Sequence, residues 1–178
     1  YVDLTIAIMK KFGAEVKIEK EYERYIVTHQ IYKSTTVSIP SDFSNLALLL
    51  AANVLLGDGL NIEISLDDIP QGDEAIVDIL EKLGVNVTLE GDIITTKSPI
   101  SLNGGKFDLL DTPDLLPAIA ILALKSEKPI EIFNVKHARY KETDRIAIIS
   151  RELKKIGLDV KEKDDGVVLR KTSELHPA

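Results

Sequence analysis

A chain of 178 residues with 44% hydrophobic content and a formal net charge of −7 can bury a core and is too apolar to be disordered. That acidity argues against a nucleic-acid surface, because phosphate neutralisation needs an extended basic face. The absence of cysteine removes disulfides, thiolate nucleophiles and zinc-thiolate sites, and fits a reducing cytosolic setting. The three histidines are too scattered for a metal motif. The longest apolar run, Leu46 to Leu56, falls far short of the roughly 20 residues that cross a bilayer, and no signal peptide opens the chain. A soluble protein is expected, and the start at Tyr1 with no methionine suggests a cut chain.

In chain order, VDLTIAIMKKF reads as a helix with Leu4, Ile8 and Phe12 in an apolar row, followed by Gly13 and two strands. Leaving that row bare would cost roughly 1.5 to 3 kcal/mol for each large side chain, so docking against another part of the chain or a second molecule is expected. VSIPSDFSNLALLLAANVLLGDGLNIEIS follows as strand, loop, apolar helix, turn and strand. DEAIVDILEKLGVNVTLEGDIITTK returns to helix, glycine, strand and strand. FDLLDTPDLLPAIAILALKSEKPIEIFNV and DRIAIISRELKKIGLDVKEKDDGVVLR repeat the two patterns once more.

The register of this repetition is marked by Gly13, Gly84 and Gly157, spaced 71 and 73 residues apart, each placed to end a helix in the left-handed conformation. Asp42 and Asp114, 72 residues apart, take matching places at the starts of Phe43 to Leu56 and Leu115 to Leu124. Those two helices carry so few charges that burial on most sides, side by side, is expected. The chain parses as an α-β-β piece, residues 1–36, and two βαβαββ units, 37–106 and 107–178. The fold class is α/β (α+β), with helices inside and sheets outside.

The stretch KHARYKETDR packs Lys136, Arg139, Lys141 and Arg145 into ten residues of an acidic chain. A charge run is most often a solvated face; at the rim of a pocket it would hold anions. KETDR at 141–145, TPDLLPAIAILA at 112–123 and PSDFSNLALLLAA at 40–52 resemble signature segments of the 5-enolpyruvylshikimate-3-phosphate synthase family, the 3-phosphoshikimate 1-carboxyvinyltransferases. QGDEAIVDILEKLGV and YVDLTIAIMKKFGAE are similar to its other segments, so the resemblance covers nearly the whole chain. The sister family of UDP-N-acetylglucosamine 1-carboxyvinyltransferases shares the architecture but lacks KETDR in this form, and a non-catalytic βαβαββ module is the other alternative.

The resemblance implies an inside-out α/β barrel of the enolpyruvyl transferase kind, with residues 1–36 ending one lobe and 37–178 forming an incomplete second lobe. It implies transfer of the enolpyruvyl group from phosphoenolpyruvate to the 5-hydroxyl of shikimate 3-phosphate, in the cytoplasm, with no metal or organic cofactor. It implies no nucleic-acid or membrane partner and a monomeric full enzyme, with self-association open to the partial chain. Both substrates are polyanions, and cations in defined positions suit them. By resemblance, Lys141 contacts shikimate 3-phosphate and Arg145 binds phosphoenolpyruvate. Asp114 contacts the substrate hydroxyl as base, and Glu142 handles the proton at the methylene carbon. On the residues alone, Asp114 is a natural helix-start carboxylate and Glu142 a surface ion pair. Asp42 reads as a helix cap only, Thr143 as the cap of the last helix, and Lys136 and Arg139 as surface charge. His137 stands where some members place a polar contact, and a solvated loop histidine fits it equally. Other basic contacts of the family have no match here, so the chain is expected to be inactive alone.

Overall fold

The computed structural model describes residues 1–57, 59–66, 69–173 and 175–176. The chain divides into two units, Tyr1–Ser41 with Ile64–Gly72, and Asp42–Glu63 with Asp73–Ala178.

In the first unit, helix α1 (Val2–Lys11) has Asp3 in its first turn and Lys10 and Lys11 in its last, each sign suited to the helix dipole. Gly13, at φ +77°, reverses the chain, and the bonds Gly13 N to Lys10 O (2.8 Å) and Ala14 N to Met9 O (2.9 Å) close the end. Strands β1 (Lys17–Lys20) and β2 (Arg24–Ile26) then pair as an antiparallel hairpin. The row Leu4, Ile8 and Phe12 is half-buried, and Phe12 meets the edge of Tyr32 at a ring separation of 6.5 Å. Ile6, outside that row, is the more deeply covered.

The strand expected at VSIP does not form among the described residues, and Ile39 is 85% exposed. Among the described residues, Ser41 makes one backbone rung, donating its N–H to Ser65 O at 2.8 Å, while Ser65 N donates to the Ser41 hydroxyl at 2.9 Å. Pro40 has no N–H to add, so extension along 37–40 gains no ladder.

The second unit holds the apolar helices. Helix α2 (Phe43–Leu56) buries Phe43, Leu46, Leu50 and Val54 and touches α4 (Leu116–Ile121), whose Leu116, Ala118, Ile119 and Ala120 are all buried. The expectation of burial on most sides fits α4 but not α2, which leaves Leu48, Leu49 and Leu56 exposed. The helix expected from Leu115 to Leu124 is broken into a 3₁₀ turn at Pro113–Leu115, α4, and a second 3₁₀ turn at Leu122–Lys125. Pro117 is the cause at its start: without an N–H it cannot bond back to Pro113, and Leu116 N takes that carbonyl in a tighter turn.

Strands β3 (Leu60–Glu63), β4 (Asn86–Glu90) and β5 (Ile93–Lys97) form an antiparallel sheet in the order β3-β5-β4, with α3 (Ile76–Lys82) leading into β4. A second sheet orders β6 (Gly105–Asp108), β7 (Ile130–Phe133), β9 (Gly166–Arg170) and β8 (Asp159–Lys163) as β6-β7-β9-β8. Only β6 and β7 run parallel in it. Helix α5 (Arg145–Lys155) packs on β8 and β9, burying Ile146, Ser150 and Leu153. α3 and α5 end as α1 does, at Gly84 and Gly157, with Val85 N bonded to Leu80 O and Leu158 N to Leu153 O. Gly84 is further constrained by space, since a Cβ there would come within 2.9 Å of the Asn103 side chain.

Candidate functional site

Because β6 and β7 are parallel neighbours, the loops that follow them leave the same edge of the sheet. Asp108 and Phe133 close the two strands in register, and the exits are stitched together. Asn134 Nδ2 donates to Asp108 Oδ2 at 2.8 Å, and Leu109 N donates to Phe133 O at 3.1 Å. The first loop runs into the 3₁₀ turn that bears Asp114. The second runs through a 3₁₀ turn at Lys136–Tyr140 into residues 141–144 and then α5. Sheet topology thus brings together two segments 27 residues apart.

The Asp114 carboxylate meets cations of the second loop. Its Oδ1 accepts from Lys141 Nζ at 2.5 Å and from an Arg145 guanidinium N–H. The other arm of Arg145 reaches Glu142 Oε2 at 3.1 Å. The side chains of Asp114, Lys141 and Arg145 are 17%, 22% and 28% exposed, whereas Glu142 is 81% exposed at the rim. Glu142 is nevertheless held below the usual carboxylate range, first by its own backbone N–H and then by Arg145. The four residues expected to carry the site therefore stand together, with two cations sharing one carboxylate oxygen. An entering dianion can take both cations over from that carboxylate.

Asp42 behaves differently although it occupies the equivalent place. Its Oδ1 accepts from Ser44 N at 2.9 Å and from Asn45 N, and its Oδ2 accepts from Asn45 Nδ2 at 2.6 Å, so it caps α2. Thr143, expected to cap α5, is exposed, and Asp144 takes that place with Oδ1 accepting from Ala147 N at 2.9 Å. The helix begins one residue later than Thr143 would require. The residue immediately before the first helical position was the available signal.

Two features escape the sequence, while Lys136 and His137 sit at the surface as expected. Arg139 is 16% exposed and bonds Asp144, Glu162 and the carbonyls of Lys163 and Asp164, so it is no ordinary surface charge. Lys136 pairs with Asp164 at 2.7 Å in the exposed turn between β8 and β9, and His137 is exposed. The second missed feature is Asp73, in a 3₁₀ turn at Gly72–Ala75, only 8% exposed and accepting from the Ser44 hydroxyl. Burial pushes its carboxyl up, the Ser44 bond opposes that, and Asp114 and Asp42 add to the rise while Lys141 works against it. Among the described residues no group of three His, Asp or Glu side chains is placed to hold a metal ion, and no helix is long and apolar enough to cross a membrane.

Comparison with known proteins decides the family. The model of EPSP synthase (3-phosphoshikimate 1-carboxyvinyltransferase) matches residues 1–178. The chain belongs to the EPSP synthase family. A 3-phosphoshikimate 1-carboxyvinyltransferase from Nitrosopumilus maritimus is 55% identical over 175 residues, which is 98% of this chain and 42% of that protein. One from Methanocaldococcus jannaschii is 37% identical over 179 residues, covering 100% of this chain and 41% of the relative. The chain thus spans about two fifths of the length of the curated EPSP synthases it matches. Among solved structures, EPSP synthase from Acinetobacter baumannii superposes with a TM-score of 0.74 at 24% identity, over 94% of this chain and 40% of that one. The enolpyruvyl transferase NikO from Streptomyces tendae gives 0.67 at 18% identity, over 93% and 39%. Those two likenesses show the fold, and it is the α/β fold of the enolpyruvyl transferases read from the sequence.

Proposed function

We propose that this chain carries part of the active site of a 3-phosphoshikimate 1-carboxyvinyltransferase, which moves the enolpyruvyl group of phosphoenolpyruvate to the 5-hydroxyl of shikimate 3-phosphate and releases phosphate. The observation that carries the reading is the convergence of Lys141 and Arg145 on Asp114. Substrate anions take over the two cations, Lys141 holding shikimate 3-phosphate and Arg145 holding phosphoenolpyruvate through a bidentate fork. Asp114, released from both, removes the proton of the 5-hydroxyl as that oxygen bonds to C2 of phosphoenolpyruvate. Glu142, no longer held by Arg145, takes up a proton from solvent at the exposed rim and delivers it to the methylene carbon. It takes one back as the double bond re-forms and the carbon to phosphate-oxygen bond breaks, and phosphate leaves with the proton that Asp114 had removed from the 5-hydroxyl.

The division into residues 1–36, 37–106 and 107–178 remains our proposal for how the repeats relate to the lobes, supported by the period of 72 residues between Asp42 and Asp114. Two phosphorylated substrates that do not cross a membrane unaided place the reaction in the cytoplasm, and the complete enzyme acts as a monomer. The chain alone turns over no substrate, since transition-state charge needs donors from more of the enzyme, and losing one such donor commonly costs on the order of 10² to 10³ in rate.

Calorimetric titration of the chain with shikimate 3-phosphate and phosphoenolpyruvate tests the reading, with Lys141→Ala and Arg145→Ala weakening the first and second ligand respectively. A folded chain indifferent to both ligands would leave the repeats as a mere scaffold and overturn it.

A further inference from the structure

We propose that Arg139 is a positioning residue for the proposed reaction, holding the segment 141–145 in place while Lys141 and Arg145 exchange Asp114 for substrate anions. The claim rests on the reading given under Proposed function.

The segment between the 3₁₀ turn and α5 is anchored on two sides. On one side Lys141 and Arg145 grip Asp114. On the other, Arg139 uses all three guanidinium nitrogens. Nε bonds the Asp164 carbonyl at 2.8 Å, one terminal nitrogen bonds Asp144 Oδ2 at 2.7 Å, and the second bonds Glu162 Oε1 at 2.8 Å and the Lys163 carbonyl at 2.6 Å. Glu162, Lys163 and Asp164 belong to the end of β8 and the turn after it, a rigid antiparallel hairpin with β9. Asp144 is the link to the site. Its Oδ1 caps α5 through Ala147 N, and its Oδ2 is the atom that Arg139 holds. The guanidinium therefore fixes the rotamer of the capping residue and the hairpin at once, one residue before Arg145.

The two anchors have different fates. Substrate binding must draw Lys141 and Arg145 away from Asp114, so the site-side anchor is the one that ligands dissolve. None of the Arg139 bonds involves Asp114, Lys141, Glu142 or Arg145, so this anchor stays intact through the exchange. Lysine cannot replace the fork, because a single ammonium cannot span a carboxylate on the loop and two carbonyls on the hairpin in fixed directions.

The test compares the 178-residue chain with Arg139→Ala, Arg139→Lys and, as a destabilised control in the buried face of the other sheet, Ile94→Ala. Phosphoenolpyruvate affinity is read by titration and the amide resonances of residues 141–145 by NMR, with ethylguanidinium added to Arg139→Ala. The expected result is a roughly tenfold or greater loss of affinity in Arg139→Ala, a smaller loss in Arg139→Lys, partial rescue by ethylguanidinium, and little change in Ile94→Ala. Unchanged affinity in folded Arg139→Ala, or an equal loss in Ile94→Ala, overturns the positioning role. If the unaltered chain takes up no phosphoenolpyruvate, affinity gives no comparison, and the functional reading fails separately when shikimate 3-phosphate is refused as well. The positioning claim then stands or falls on the ligand-free amides, which must broaden or shift at 141–145 in Arg139→Ala and must not in Ile94→Ala. Should Arg139→Ala not fold, Arg139→Lys carries the same comparison.

Discussion

Replacing Asp114 with asparagine keeps the shape and an acceptor oxygen but removes the charge that Lys141 and Arg145 share. A fully exposed pair is worth about 0 to 1 kcal/mol, and breaking a fully buried one costs roughly 3 to 5. With side chains 17%, 22% and 28% exposed, this cluster lies between those limits. A loss of about 1 to 3 kcal/mol follows, or a melting temperature lower by roughly 2 to 10 °C for a chain of this size. The same change should strengthen anion binding, because an incoming phosphate no longer competes with a carboxylate at Lys141 and Arg145. A gain of about tenfold is expected, corresponding to ~1.4 kcal/mol of removed competition. The assay is thermal melting of both forms with and without inorganic phosphate. Phosphate should raise the melting temperature of Asp114→Asn more than that of the unaltered chain, by ligand linkage, and high concentrations of sodium chloride should shrink the difference. If Asp114→Asn melts where the unaltered chain does and gains no more from phosphate, the two cations are not neutralised by Asp114 in the way described.

The other expectations concern single carboxylates. Glu142→Gln, at a rim position 81% exposed, should leave melting almost unchanged. In a chain completed with the remaining residues of the Nitrosopumilus maritimus relative, it should lower turnover far more than substrate affinity, and normal turnover would remove Glu142 from the proton path. Asp42→Asn should cost less than about 1 kcal/mol, since asparagine caps a helix nearly as well, and a loss as large as that of Asp114→Asn in the same melt would contradict its role as a cap. Asp73, raised by burial, binds its proton more tightly folded than unfolded. Its contribution to stability therefore falls as pH rises from the ordinary aspartate value of 3.8 through the raised folded value. Urea melts across acid to neutral pH should show Asp73→Asn gaining on the unaltered chain over that window and holding the gain above it. A pH-independent difference, or one of opposite sign, would show that Asp73 is not a buried carboxylate under strain from its neighbours.

Much of this protein is written in local chemistry. Gly13, Gly84 and Gly157 could be read as helix ends because an α-helix stops cleanly only where a residue accepts left-handed φ, and each does so here at +77°, +91° and +97°. The two strands expected after each of these glycines pair as hairpins, β1 with β2, β4 with β5 and β8 with β9. α2 was legible to its last residue, Leu56, because an apolar run between Asp42 and Gly57 has its cap and its stop in the sequence. Pro117 and Asp144 were local signals that the reading passed over; elsewhere the deciding partner was distant. Residues 37–40 have strand composition but no ladder to join, and Leu48, Leu49 and Leu56 are apolar but exposed.

The site divides in the same way. Resemblance of KETDR and TPD to known segments was enough to select Asp114, Lys141, Glu142 and Arg145, but their spacing could not say that two cations converge on one oxygen. Asp42 and Asp114 look alike in sequence, each opening an apolar helix, yet Asp42 bonds residues two and three ahead while Asp114 bonds residues 27 and 31 ahead. Arg139 was mistaken for surface charge for the same reason, since its hairpin partners Glu162, Lys163 and Asp164 lie 23 to 25 residues further on. The glycine-marked helix ends and the turns depend on neighbours within a few residues, so the sequence determined them by itself. Which carboxylate meets which cation depends on the parallel pairing of β6 with β7 and the hairpin of β8 with β9, and only the tertiary structure decided that.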